Sequence, residues 1–271
     1  LIDRSKRPLQ LTRAGGIYHH GCRQILDQYE RLTRRLSGAG DPIRGRVRIA
    51  AIYSAGIDLL NQLADGFRAA YPHTVIEVDY DHPAQVLQQV RDDLADLGIV
   101  SYPQRWRDLT VFPLREETMV VVCPPHHALA DRQTVGPADL AGRAMVGFDP
   151  ELPISRRIHS FFRRHRTQAQ VAHTFDNIDT IKAYLAHSDE VAILPERTVR
   201  REAAAGALKV VGLQPTLTRP LAIMHHRQRP LTPAINSFVE HMLKYGSAQA
   251  TAPADDQTTA AKRPGALAVS G

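Results

Sequence analysis

Residues 45–56, GRVRIAAIYSAG, decide the class of fold to which this sequence belongs. Basic and apolar side chains alternate at the start of this stretch, and positions 49–52 are all apolar, as in a strand that enters a hydrophobic core. The short segment at 53–56 ends the strand, and apolar residues at helical spacing follow over 57–71. A strand, a short turn and an amphipathic helix in this order predict an α/β fold.

The same order of elements recurs through the chain up to residue 245. Further strands are predicted at 74–80, 97–100, 110–114, 118–123, 144–148, 170–174, 191–194 and 221–225. Further helices are predicted at 83–94, 137–141, 154–165, 178–187 and 233–245. Strands that alternate with helices build a largely parallel sheet. Because the pattern stops at Pro124-Pro125 and then starts again, the sequence predicts two such α/β units.

A long amphipathic helix is predicted over 12–38, with Thr12 as its N-cap and Gly38 at its end. Its larger apolar residues recur at intervals of three and four and form a heptad seam for a partner helix, made of Tyr18, Cys22, Ile25, Tyr29, Leu32 and Leu36. An ordinary surface helix that packs on its own domain is the alternative. The glycine- and proline-containing break at 38–42 favours the seam, and therefore a homodimer.

Composition places the chain among globular proteins, with 43% hydrophobic residues and a net charge of +6 that mildly favours polyanionic partners such as DNA. The two cysteines, Cys22 and Cys123, form no disulfide framework, which fits a reducing compartment. No apolar run is long enough for a membrane span, and the N-terminus lacks the apolar core of a signal peptide. We therefore expect a cytoplasmic protein with no membrane partner. The segment 246–271 is poor in large apolar residues and is predicted to be disordered.

Two clusters of reactive or charged side chains suggest chemistry, and each has a structural explanation. Cys123, His126 and His127 could form a thiol–imidazole pair or a metal site, but Cys123 ends an apolar strand, which favours a buried structural cysteine. The basic run at 156–166 could bind nucleic acid, although a solvated helix surface explains it better. The sequence has no phosphate-binding glycine loop, HExxH or GxSxG motif. We therefore predict no catalytic residue, metal or cofactor.

Polar residues at the turns between strands and helices indicate an anion site. Ser54 follows the first strand, and Asp176-Asn177 follow the strand at 170–174. Such turns leave backbone N–H groups free, and the helix dipole favours an anion there. Ligands of open parallel sheets bind beyond the carboxyl ends of the strands. If the two α/β units face each other, these turns converge on a cleft for a small acid; simple helix capping is the alternative.

Five motifs, in order, resemble those of LysR-type transcription regulators. They are RSKRPLQLTRAG at 4–15, GRVRIAAIYSAG at 45–56, DLGIVSYP at 96–103, VVVCPPHHALA at 120–130 and EVAILPE at 190–196. The first resembles the end of the family's winged helix-turn-helix and the start of its linker helix, and the other four resemble its sensing domain. Ala128 stands where the family usually has proline, and Ser188 and Glu190 stand where it usually has glycines.

The resemblance implies a periplasmic-binding-protein-like fold of type 2, preceded by a dimerisation helix. Subdomain I would comprise 45–124 with 222–245, and subdomain II would comprise 125–221. Residues 1–11 would be a remnant of the DNA-binding wing, and the helix at 12–38 would pair antiparallel in a homodimer, often within a tetramer. The implied function is transcription regulation through DNA binding, controlled by a small effector in the cleft between the subdomains. By the default chemistry of such pockets, we expect this effector to be an anion.

By analogy with the family, five residues would line the effector cleft: Ser54, Ser101, Phe148, Asn177 and Pro195. The family's DNA-reading helix lies ahead of the position that matches Leu1, so we expect this chain alone to bind DNA weakly and without sequence preference. Three N-terminal basic residues would contact DNA phosphates only: Arg4, Lys6 and Arg7.

The chief alternative is a solute-binding protein of the same fold that delivers a small anion to a transporter. The seam helix and the basic segment ahead of it favour the regulator. An enzyme that uses the cleft would need paired acid–base groups, whereas the expected lining consists of hydroxyl, amide and backbone groups. A regulator that has kept its sensor but controls no gene is a further alternative.

Overall fold

The fold is known from a computed structural model of the chain, which describes residues 1–3, 10–37, 43–55 and 57–250. The strands are β1 (Ile2–Asp3), β2 (Gln10–Leu11), β3 (Gly45–Ile52), β4 (Thr74–Asp81), β5 (Leu97–Ser101), β6 (Leu109–Cys123), β7 (Thr134–Val135), β8 (Ala144–Phe148), β9 (Gln170–Phe175), β10 (Ala192–Pro195), β11 (Lys209–Leu213) and β12 (Thr218–His226). The helices are α1 (Arg13–Ser37), α2 (Ile57–Ala70), α3 (Pro83–Arg91), α4 (Pro137–Leu140), α5 (Pro153–Arg164), α6 (Ile178–Leu185), α7 (Arg200–Ala204) and α8 (Pro233–Ala250). Arg4, Lys6, Arg7 and the predicted break at 38–42 lie outside the described residues.

One large sheet organises the α/β region. Its strand order is β4-β3-β5-β12-β6-β11-β7, and β10 pairs with the second half of β6. β3 runs parallel to both β4 and β5, whereas β12 runs antiparallel to β5 and β6. β8 and β9 form a separate parallel pair. The parallel neighbours are joined through α2 and α3, since a parallel connection needs a crossover of helical length, and the predicted α/β class is confirmed.

The hydrophobic core consists of two clusters. The first includes Phe67 of α2 and Leu114 of β6, and the second includes Met119 of β6 and Phe162 of α5. β6 therefore runs from one cluster into the other. Core membership changes between Leu114 and Met119, ahead of the predicted subdomain boundary at Pro124. The division into two subdomains stays a prediction.

The two strands predicted at 110–114 and 118–123 are one continuous strand, β6. The charged residues Arg115 and Glu117 stand in the gap between the two predicted strands. In the structure they lie within the strand and form an ion pair with each other, and β12 pairs with this part of β6 from Thr218 to His226. Since their charges are paired, the charged residues do not interrupt the ladder. The short elements β7, β11 and α7 were not predicted.

The last helix extends further than its sequence predicts. α8 continues to Ala250, so the expected disorder is wrong for 246–250, and residues 251–271 lie outside the described part. Two contacts lie near this end: the Tyr245 hydroxyl donates to Gln62 Oε1 at 2.8 Å, and Gly246 lies against the backbone of Leu114. The residues after Gly246 are compatible with a helix.

The N-terminal helix α1 begins after Thr12, whose Oγ1 accepts a hydrogen bond from the Gly15 N–H at 3.0 Å, so the predicted N-cap is confirmed. Along the predicted seam, Tyr18 is 62% exposed, and Ile25 and Tyr29 are each 67% exposed. The side chains of two further seam residues lie outside the described part of the helix: Leu32 and Leu36. No helix in the described ranges is both long and apolar enough to cross a membrane.

Candidate effector-binding cleft

Three neighbouring parallel strands end at one edge of the large sheet and form the first wall of a cleft. β4, β3 and β5 lie side by side and end at Asp81, Ile52 and Ser101. β3 continues into a 3-10 turn that carries Ser54, and β4 continues through His82 into α3. Because the carboxyl ends of parallel strands meet at the same edge, these polar side chains lie together.

The facing wall comes from the second core cluster. β8 and β9 run parallel and end at Phe148 and Phe175, after which α5 and α6 begin. Asn177 caps α6, because its Oδ1 accepts a hydrogen bond from the Thr180 N–H at 2.8 Å. The starts of α5 and α6 therefore border the same space as the strand ends of the first wall, and helix starts favour negative charge.

The two walls face each other across a narrow cleft with a cavity volume of about 30 Å³. It is lined by Ile52, Tyr53, Ser54, Asp81, His82, Pro83, Ser101, Phe148, Leu152, Pro153, Ile154, Asp176, Asn177 and Ile178. The apolar members form the sides of the cleft, and hydroxyl, amide, imidazole and carboxylate groups provide its polar contacts.

Four of the five predicted cleft residues lie together in this lining: Ser54, Ser101, Phe148 and Asn177. Pro195 is not among the lining residues. It is the last residue of β10, buried and opposite Met119 of β6, because β10 is held in the sheet of the second core. Whether any of the five contacts a ligand stays a prediction.

Ser54 is held by a buried arginine from the other end of the chain. The Arg219 Nη1 donates to Ser54 Oγ at 2.9 Å, and Nη2 donates to the Ser54 carbonyl at 2.6 Å. Arg219 is only 1% exposed. Since a guanidinium has no acceptor, the Ser54 hydroxyl must accept from it, and its own hydrogen is left to donate elsewhere.

A buried charge network surrounds Arg219 where β6 and β12 pair. Glu117 accepts hydrogen bonds from Arg219 Nε at 3.0 Å and Nη2 at 2.6 Å, and it also forms an ion pair with Arg115. Two guanidinium groups thus share one carboxylate. Burial, followed by the positive charges of Arg115 and Arg200, lowers the pKa of Arg197 nearby. The region beneath Ser54 therefore carries excess positive charge.

Two carboxylates, those of Asp81 and Asp176, also belong to the lining of the cleft. Asp81 Oδ1 accepts from the His82 N–H at 2.8 Å. Asp176 Oδ1 accepts from Asn177 Nδ2 at 3.0 Å, and its Oδ2 lies 3.4 Å from His82 Nε2. The contact between His82 and Asp176 joins the two walls, since the first follows β4 and the second follows β9.

Comparison with known proteins identifies the molecule to which this cleft belongs. Residues 40–247 match the family described as the LysR substrate binding domain. The chain belongs to the LysR family of transcription regulators. It is 25% identical over 250 residues to the transcriptional dual regulator GltC of Bacillus subtilis, a match that covers 91% of this chain and 83% of GltC. The chain is therefore a regulator with an effector-binding domain, neither an enzyme nor the solute-binding protein considered as the alternative.

Solved structures of LysR-family sensing domains have the same fold. The effector-binding domain of QuiR in complex with shikimate has a TM-score of 0.69 and 20% identity, and the match covers 76% of this chain and 99% of that domain. The regulatory domain of Synechocystis CcmR in complex with 2-PG has a TM-score of 0.68 and 20% identity, and the match covers 75% of this chain and 98% of that domain. The predicted periplasmic-binding-protein-like fold of type 2 is confirmed.

Sequence reasoning missed three polar groups of the regulator's cleft. Asp81 and His82 follow strand β4 just as Ser54 follows β3, so the same strand-end signal could have found them. Arg219 gave no local signal, because it lies on β12, 165 residues from Ser54. Its position beneath the cleft depends on the pairing of β12 with β5 and β6.

The cysteine–histidine cluster of the regulator is structural. Cys123 is fully buried, and burial raises the pKa of its thiol to about 11. His126 Nε2 lies 2.8 Å from Asp189 Oδ1, and His127 Nδ1 accepts from the Leu129 N–H at 3.1 Å. Within the described residues, no three His, Cys, Asp or Glu side chains are grouped closely enough to hold a metal ion. The prediction that Cys123 is buried is confirmed.

The basic residues of α5 lie on the face of the helix that is exposed to solvent. Ile158, Phe161 and Phe162 pack into the second core, whereas Arg156 and Arg163 are exposed. This is the arrangement expected of an amphipathic helix with a solvated basic face.

Proposed function

We propose that this regulator senses a small, anionic metabolite in the cleft and controls transcription in the cytoplasm as a DNA-binding homodimer or homotetramer. The two-walled construction of the cleft from strand ends supports a small ligand, because ligands of such sheets bind beyond the carboxyl ends of the strands. The shikimate and 2-PG complexes of the related domains support the same use of the fold. DNA binding follows from membership of the family.

The observation that carries the anionic effector is the contact between Ser54 and Arg219. The guanidinium occupies the acceptor side of the Ser54 hydroxyl, so the hydroxyl is presented as a donor polarised by a buried positive charge. Donors of this kind bind anionic acceptors more strongly than neutral ones.

Binding of a panel of organic and inorganic anions, followed by thermal shift and calorimetry, tests this proposal. We expect at least one small anion to stabilise the chain, and Ser54→Ala to weaken its binding by about tenfold or more, since a charge-assisted hydrogen bond is lost. Thr216→Ala, at an exposed residue outside the lining, is the matched control and should bind with unchanged affinity. Stabilisation by cations or apolar ligands alone would contradict the proposal.

Self-association is supported by the surface of α1. Large apolar side chains are exposed along this helix, including Tyr18, Ile25 and Tyr29 of the seam. A contiguous apolar surface on a soluble protein marks an interaction site, and a heptad seam fits a second copy of the same helix. We therefore assign the seam to the homodimer.

A further inference from the structure

We propose that the effector of this regulator is a zwitterion, whose anionic group binds at Ser54 and whose ammonium group binds between Asp81 and Asp176. This inference rests on the proposed function, because it specifies the chemistry of the ligand in the same cleft. It follows from the opposite charges that the structure places around the lining.

The positive end lies beneath Ser54. Arg219 donates to both the hydroxyl and the carbonyl of Ser54, and the buried group formed with Arg115 and Glu117 has one more guanidinium than carboxylate. Arg219 and Glu117 are 1% and 3% exposed, so water screens this excess charge only weakly. An anionic group at the Ser54 hydroxyl would compensate it.

The negative end lies at Asp81 and Asp176, one on each wall of the cleft. Asp81 accepts from the His82 N–H and from Gln89 Nε2, and Asp176 accepts from Asn177 and contacts His82. Each ionised carboxylate has about four acceptor positions, so both retain capacity for a further donor. No Lys or Arg is present among the described lining residues to neutralise them.

A simple anion could pair with the positive charge at Ser54 but not with the carboxylates of Asp81 and Asp176. Within this narrow cleft it would share the lining with two carboxylates of its own charge, and like charges repel. A ligand that also carries an ammonium group replaces that repulsion with charge-assisted hydrogen bonds to Asp81 and Asp176. The apolar sides, which include Ile52, Phe148 and Ile178, favour a compact molecule with a small uncharged substituent.

Matched ligand sets test the charge pattern directly. The twenty L-amino acids are compared by calorimetry with their 2-hydroxy acids, which lack the ammonium group, and with their decarboxylated amines, which lack the anion. We expect at least one amino acid to bind, and both of its analogues to bind at least about tenfold more weakly, since each analogue leaves one end of the cleft unpaired.

Substitutions then locate the ammonium group. Asp176→Asn and Asp81→Asn keep the shape of the side chain but remove its charge. Each should therefore lower the affinity for the amino acid by about tenfold, and the affinity for the 2-hydroxy acid should stay the same or increase. Asp189→Asn is the matched control, because Asp189 is a largely exposed carboxylate that is not among the cleft-lining residues. Its amino-acid affinity should equal that of the unaltered chain.

Three outcomes would overturn the inference. One is a carboxylate without an ammonium group that binds as tightly as the amino acid and still depends on Ser54, which would leave the proposed function intact. Another is amino-acid binding that Asp81→Asn and Asp176→Asn do not weaken. A third is the absence of binding by every amino acid, after which the wider anion panel decides the proposed function separately.

Discussion

Glu117 is the carboxylate on which the buried charges of this regulator depend. It is 3% exposed and forms ion pairs with Arg219 and Arg115. A buried ion pair contributes little net stability by itself, but removal of one partner leaves an uncompensated buried charge, which is costly. The structure therefore predicts a strong effect at this one residue.

Glu117→Gln should lower the free energy of unfolding by about 3–5 kcal/mol, because two buried guanidinium groups lose their counter-charge. Urea denaturation measures the change. Asp108→Asn is the control: Asp108 pairs with Arg91 at 2.7 Å, but both side chains are more than a third exposed, so the loss should stay within about 1 kcal/mol. Equal effects of the two substitutions would show that the Glu117 network is not needed for stability.

Cys123 gives the fold a pH dependence in the alkaline range. Burial raises the pKa of its thiol from 9.0 to about 11, so the folded state holds the proton more tightly than the unfolded state. The contribution of the protonated thiol to the free energy of unfolding is fully present below pH 9 and is lost as the pH rises from 9 to 11. Full loss amounts to about 2–3 kcal/mol.

Comparison with Cys123→Ala isolates this effect from other titrating groups. Between pH 8 and pH 11 the unaltered chain should lose more unfolding free energy than the variant does, by an amount that approaches about 2 kcal/mol. Urea denaturation at a series of pH values measures the difference. If the two proteins lose stability in parallel, the thiol has the same pKa in the folded and unfolded states.

Helix α1 and strand β6 differ in how well the sequence predicts them. The helix is amphipathic over its own length, and its start agrees with the N-cap predicted at Thr12. Arg115 and Glu117 of β6 stand in the gap between two predicted strands, and their partner Arg219 is distant in sequence. Local periodicity predicts an element reliably only where its partners are of the expected polarity.

Ile25→Glu on α1 should dissociate the homodimer, since it places a charge in the middle of the apolar seam. Analytical ultracentrifugation over a range of concentrations should show a dimer dissociation constant raised by about tenfold or more. Asp27→Lys, at a position that the heptad pattern leaves off the seam, is the control and should remain as dimeric as the unaltered chain. A dimer insensitive to Ile25→Glu would require a different interface.

At the scale of the whole molecule, the two core clusters are joined by continuous secondary structure. β6 contributes Leu114 to the first and Met119 to the second, and it pairs with β12, β10 and β11 along its length. Strands that belong to both cores cannot leave one of them without disturbing the other. We therefore expect the α/β region to unfold as one cooperative unit.

Phe162→Ala tests this coupling from one core to the other. The substitution should cost about 3–5 kcal/mol, because Phe162 is 1% exposed in the second cluster. Trp106, the only tryptophan, packs against the first cluster, so its fluorescence reports the distant core. The urea midpoints by Trp106 fluorescence and by circular dichroism should fall together. A fluorescence midpoint that stays unchanged while circular dichroism shows an early step would mean independent cores.

The sequence by itself determined the α/β class, the long N-terminal helix and most elements of the alternating pattern, such as the strand at 144–148. It also indicated Ser54 and Asn177, because strand ends and helix starts leave local marks in the order of residue types. The family resemblance added Ser101 and Phe148, which the structure also places in the cleft lining.

Only the tertiary structure decided which distant charges meet. It placed Arg219 under Ser54, paired Arg115 with Glu117 inside a strand, and set Asp81 and Asp176 on facing walls. These contacts depend on the register of β12 against β5 and β6 and on the approach of the two cores. Periodicity along the chain describes which face of an element is buried, whereas the neighbour on that face is chosen by long-range packing.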